Sequence, residues 1–174
     1  RTLPGVGEYT AAAVAAFAVK SIRSASDLAE STNAVNVSFG EAAEGVLAIG
    51  ENADESMGLS KAAFNEAAVG FAAFASTIAG PGGDVAATIG DITTRAADFA
   101  SVMNLDVAEA ANVFRSSLAG ETEPIKKFGK DMSAAAVEAY ALSSGLVQNK
   151  RDLTEAIKVQ ARYGLLMEKT SKFA

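Results

Sequence analysis

The residues able to do chemistry in this chain are few, and most are carboxylates. Glu41 and Glu44 fall one helical turn apart, as do Glu51 and Asp54. A carboxylate pair works as acid and base only when one member is desolvated and the other stays wet. The neighbours of these four acids are polar, so they read as solvated helix faces. Glu121-Thr122-Glu123 precedes Pro124 and has the makings of a cation site. Acids at a helix start are explained as well by the positive end of the helix dipole. Near the N-terminus, Gly5 and Gly7 flank Val6 just ahead of an Ala-rich run. Such a turn brings backbone N–H groups close to a phosphate, and the following helix adds its N-terminal charge.

The zeros exclude more than the positives suggest. The chain has no Cys and no His. Disulfides, zinc fingers, iron–sulfur clusters and Ser-His or Cys-His pairs are therefore impossible. No catalytic residue, cofactor site or metal site is expected, and the chain is not expected to be an enzyme.

Elements that carry these residues follow from composition. The 174 residues are 49% hydrophobic but only 7% aromatic, with 3 Pro and no Trp. Much of the apolar share is Ala, the best helix former, which buries little area per residue. Punctuation recurs at helical intervals. Ser26-Asp27, with Glu30 behind it, predicts a helix start, and Leu28, Val35 and Phe39 share one face up to Gly40. Helix is expected from Glu41 to Met57 with a soft break at Gly50, then a stop at Gly58. Ser60 caps Lys61 to Ala79, whose stripe is Phe64, Ala67, Ala68, Phe71 and Ala75. Gly80-Pro81-Gly82-Gly83 ends it. Asp84 opens a helix to about Met103, with Ile89, Ile92, Ala96 and Phe99 inward and Asn104 as a left-handed stop. Asp106 with Glu109 opens the next, to Ala119 and Gly120. Pro124 sits in a first turn leading to a short Ile125 to Phe128 piece, and Ser133 caps Ala134 to Ser143. Asp152 with Glu155 opens the last helix. No long stretch alternates with period two; Val35-Asn36-Val37 comes nearest. The fold class is all-α, with about seven or eight short amphipathic helices, extended or loosely bundled. Phe39, Phe64, Phe71, Phe74, Phe99, Phe114 and Phe128 are expected in the core.

The net charge is -6. Between Ser24 and Ala110 there are 13 acids against Lys61 and Arg95 alone. Such a surface repels phosphate, so no nucleic-acid partner is expected for residues 24–174. The longest uncharged run, Ala67 to Gly83, is cut by its Gly-Pro turn, so no membrane span is expected. The Tyr9 to Val19 run has the apolarity of a signal-peptide core but only Arg1 as a basic leader, so none is expected.

Two resemblances divide the chain, at 1–20 and 24–174. Leu3-Pro4-Gly5-Val6-Gly7-Glu8-Tyr9-Thr10-Ala11-Ala12-Ala13-Val14 resembles the helix-hairpin-helix of adenine-specific DNA glycosylases. That likeness implies DNA-backbone contacts from Gly5, Val6 and Gly7. It implies no activity, because Ser31-Thr32-Asn33-Ala34-Val35 has Ser where that family's segment has its catalytic Asp, and the cluster Cys are absent.

The second covers most of the chain. Its blocks are Asp27-Leu28-Ala29-Glu30-Ser31-Thr32-Asn33-Ala34-Val35-Asn36-Val37-Ser38-Phe39-Gly40, then Gly58-Leu59-Ser60-Lys61-Ala62-Ala63-Phe64-Asn65, then Arg95-Ala96-Ala97-Asp98-Phe99-Ala100-Ser101-Val102. The clearest is Ser117-Leu118-Ala119-Gly120-Glu121-Thr122-Glu123-Pro124-Ile125-Lys126-Lys127-Phe128-Gly129. In order, these resemble tape measure proteins of long-tailed bacteriophages, especially those of actinobacterial hosts. The resemblance implies a structural tail component that sets tail length and takes part in tail assembly and DNA ejection. It implies tail tube protein, tail assembly chaperones and tail tip proteins as partners, self-association, and residence in the virion tail after assembly in the host cytoplasm. It implies no catalysis. The alternative is a catalytically incomplete DNA-binding fragment of an A/G-specific adenine glycosylase.

Overall fold

A computed structural model describes the backbone of residues 11–173 and the side chains of residues 18–172. Within that range the chain is all-α and contains no strand. The helices are α1 (Ala11–Phe39), α2 (Ala43–Gly50), α3 (Ala53–Met57), α4 (Lys61–Ala79), α5 (Val85–Met103), α6 (Val107–Ala119), α7 (Glu123–Lys126), α8 (Ala134–Ser143) and α9 (Glu155–Lys169). Eight of them have five residues or more; α7 has 4.

Side-chain caps start five of the helices. Ser60 Oγ accepts from the Ala63 N–H, Asp84 Oδ1 from Ala87, Asp106 Oδ1 from Ala108, and Ser133 Oγ from Ala136. Each takes up an N–H that the helix itself leaves unpaired. The last helix starts otherwise than expected. Asp152 lies in a short 3-10 turn, and Thr154 Oγ1 accepts from the Ile157 N–H at 3.2 Å. Both residue types cap; Thr154 has the extended backbone a cap needs (φ -79°, ψ 165°).

Other boundaries differ too: α7 begins at Glu123, two residues before the expected Ile125, and α2 at Ala43 follows a 3-10 turn at Gly40–Ala42. Ser26 and Asp27 lie inside α1, a single helix of 29 residues. Nothing in 11–26 breaks a helix, so a possible cap there is left unused. The boundary drawn at residues 20–24 therefore falls within one continuous helix. Further on, Gly50 ends α2 but is not itself the break, which falls at Glu51-Asn52. Gly50 is there for room: a Cβ on it would stand 2.8 Å from the Phe64 ring.

The core joins all the long helices. α4 packs on α1, α5, α6 and α9, and its Phe64, Ala67, Ala68, Phe71 and Ala75 are buried as the stripe predicts. By length and composition α4 is long and apolar enough to cross a membrane, contrary to the expectation that no segment is. Here it is the hub of the bundle. α2 crosses α5 with little between the backbones: a Cβ on Gly45 would lie 2.8 Å from that of Ala86, and one on Gly90 3.0 Å from Ile49 Cδ1. Of the seven Phe expected in the core, 64, 71, 99 and 114 are fully buried, while 39, 74 and 128 pack partly buried against them.

Polar side chains tie the helix ends together. Gln160 donates to Thr77 O at 2.9 Å, Arg162 to Leu118 O at 3.2 Å and Arg95 to Met167 O at 2.8 Å. These carbonyls lie in the last turns of α4, α6 and α9, where no intrahelical donor remains. One further polar link is buried: Asn65 Nδ2 donates to Ser31 Oγ at 3.2 Å, which donates to Leu28 O. Thr93 is the exception, its buried Oγ1 lacking a partner among the described residues. An unpaired buried hydroxyl costs stability that an apolar isostere does not. Thr93→Val should therefore raise stability by about 1 kcal/mol, read as a higher urea midpoint at unchanged slope.

Candidate interaction surface

The acids singled out in the sequence stay in water. Glu41, Glu44, Glu51 and Asp54 are all exposed, and Glu51 forms an ion pair with Lys61 at the start of α4. None is buried, so neither pair has the desolvated member that paired-carboxylate chemistry needs. Glu121 and Glu123 are exposed too, and Glu123 pairs with Lys126 at 3.3 Å. Among the described residues no three His, Cys, Asp or Glu side chains are placed to hold a metal ion. Gly5, Val6 and Gly7 lie outside the described residues.

What the structure brings together instead is a shallow groove between α4 and α6. Ala63, Ala67 and Gly70 form one wall, Val107, Ala108 and Ala111 the other, around about 380 Å³. The rim is polar: Glu66, Asp106 and Arg115, whose guanidinium bonds Asn112 Oδ1 at 3.1 Å. Past Gly70 and Arg115 it continues as a smaller depression beside Phe74 and Ala119. The pairing of α4 with α6 makes this groove, and no local motif announces it.

Two further hollows lie at the opposite charge balance. Lys126, Lys130, Asp131 and Ser133 line one, and Glu138, Lys158 and Arg162 line the other. The Asp131 carboxylate already accepts the Ser133 N–H at 2.9 Å, and that bond holds it below the usual carboxylate range. Glu155 is likewise lowered by its hydrogen bond and charge contact with Lys158. These are structural contacts at exposed helix starts.

Tyr163 on α9 is raised above the ordinary 10.0, first by burial, then by the charge of Asp91, with Arg95 opposing. Its folded-state pKa exceeds its unfolded one. The stability this contributes is complete below pH 10.0 and is lost as pH rises through the folded value. Alkaline denaturation should therefore begin above pH 10.0, and Tyr163→Phe should flatten that loss. Paired urea midpoints across this range, with tyrosinate absorbance, check it.

The surface thus offers grooves and helix faces, with the acids singled out in the sequence exposed to solvent. No family model, no curated protein and no solved structure matches the chain.

Proposed function

We propose that residues 24–174 are a structural segment of a phage tail tape measure protein. The observation that carries this reading is the ordered series of four sequence blocks spread over the chain. The fold gives those blocks packing and capping duties. Arg95–Val102 supplies Phe99 to the core and the Arg95 bond to Met167 O. Ser117–Gly129 forms the whole joint from α6 to α7: Glu121 N–H closes on Ser116 O, Gly120 N–H on Ser117 O, and Leu118 and Ile125 are buried. Blocks given over to packing suit a scaffold, and an acidic, phosphate-repelling surface suits a chain that shares a tube with DNA.

On this reading the segment sets part of the tail length, meets the tube protein and the assembly chaperones during assembly, and leaves with the DNA. A ruler is tested by shortening it. An in-frame deletion of residues 61–119 in the phage gene removes α4 to α6. With these helices unfolded from the bundle and laid end to end in the tube, at about 1.5 Å per residue of helix, tails should shorten by roughly 90 Å in electron micrographs. Tails of unchanged length would overturn the proposal.

A further inference from the structure

We propose that the solvent face of α1 is an interface with a second copy of this chain, the two α1 helices running antiparallel. From residue 18 to residue 30 every α1 side chain is exposed, including Val19 at 49% and Ile22 at 69%. The inward face of α1 begins only at Ser31 and Val35. On the opposite side, Val19, Ile22, Ser26, Ala29, Asn33 and Val37 recur at spacings of three or four, and all are exposed. That is the spacing by which two helices interlock side chains. It lies away from the buried face of α1, and its side chains from Val19 to Val37 are open to solvent among the described residues.

Charge selects the occupant and its direction. Arg23 and Glu30 flank this stripe on the same side, one heptad apart, and both are exposed. In an antiparallel pair the same flank of each helix faces its counterpart. Arg23 of one copy then meets Glu30 of the other, and two-fold symmetry makes the contact twice. A parallel pair would gain neither contact. The axis falls between positions 26 and 27, which sets Ile22 over the hollow framed by Ser26, Ala29, Glu30 and Asn33 of the other copy. The stripe has few large side chains, so the association belongs to the weak, reversible class. It does not depend on the tail reading.

The absence of Cys makes the test clean. Single variants Ser26→Cys and Val19→Cys are treated with a short bismaleimide. Ser26 lies beside its own counterpart at the axis and should crosslink to a covalent dimer. Two Val19 residues would stand about 22 Å apart along the axis and should not. Sedimentation of the unmodified chain from about 10 µM to about 1 mM should show mass rising towards two chains. Arg23→Glu should weaken association about tenfold, and adding Glu30→Arg should restore it. A mass that never rises, equal crosslinking at Val19, or failure of the double reversal to restore association would each overturn the proposal.

Discussion

Phe99→Ala should cost about 3–5 kcal/mol, a large part of the roughly 5–15 kcal/mol that holds a domain together. Phe99 is fully buried on α5. Its ring lies 5.4 Å from that of Phe114 on α6 and 5.1 Å, edge to face, from that of Phe128 after α7. Three elements thus meet on one side chain, and each ring contact adds a little beyond buried area. The surroundings cannot make good the loss. Buried neighbours along the same helix are Ala96, Ala97 and Ala100, which have no side-chain torsion with which to swing into a void. The cavity should stay open and the cost should sit high in the range. Urea unfolding followed by circular dichroism measures it. A loss below about 1.5 kcal/mol would mean that the α5–α6 joint collapses readily.

Gly83→Ala should be the most damaging glycine change, costing at least about 1–3 kcal/mol. The turn after α4 folds back so tightly that a Cβ on Gly83 would sit 1.9 Å from Ala79 O and 2.6 Å from its carbonyl carbon. Both are backbone atoms, so no rotamer change relieves the contact. The turn must open, and with it the angle between α4 and α5. Gly70 is the control. It lies within α4, and a Cβ there meets nothing within 4 Å. Gly70→Ala removes backbone freedom from the unfolded chain at no cost to the folded one and should stabilise by about 0.4–1 kcal/mol. Opposite signs from the same substitution, in one thermal or urea series, are the expected result; a stabilising Gly83→Ala would refute the steric argument.

These two sites also show how far the residues speak for themselves. Phe99 was legible because Ile89, Ile92, Ala96 and Phe99 repeat at helical spacing. The caps at Ser60, Asp84, Asp106 and Ser133 were legible because a cap is a local event, settled by a side chain and an N–H two or three residues on. Asp152 misled for the same reason: two capping residues stood in reach, and the backbone around Thr154 decided between them. Ser26-Asp27 misled because a good cap does not end the helix before it; that takes a Gly, a Pro or a change of direction. Gly50 was taken as a break, whereas its purpose is space for Phe64, a residue that packing brings against it. Links such as Gln160 to Thr77, Arg162 to Leu118 and Asn65 to Ser31 leave no local mark. Any long polar side chain can reach a carbonyl, and which one it meets depends on how helices 34 to 83 residues apart come to rest. The α4–α6 groove and the free face of α1 were hidden for the same reason.

The side-chain ties at the helix ends set an order of events. α9 supplies the donors for the ends of α4 and α6, and α5 in turn supplies the donor for the end of α9. During synthesis α9 leaves the ribosome after α4, α5 and α6. Until it does, the last turns of α4 and α6 lack those partners. Run backwards, the same dependence makes α9 the release point. A pull on the C-terminal end strips both ties with one helix, and α4 and α6 then fray from their exposed ends. These helices are closed last and opened first from the α9 side.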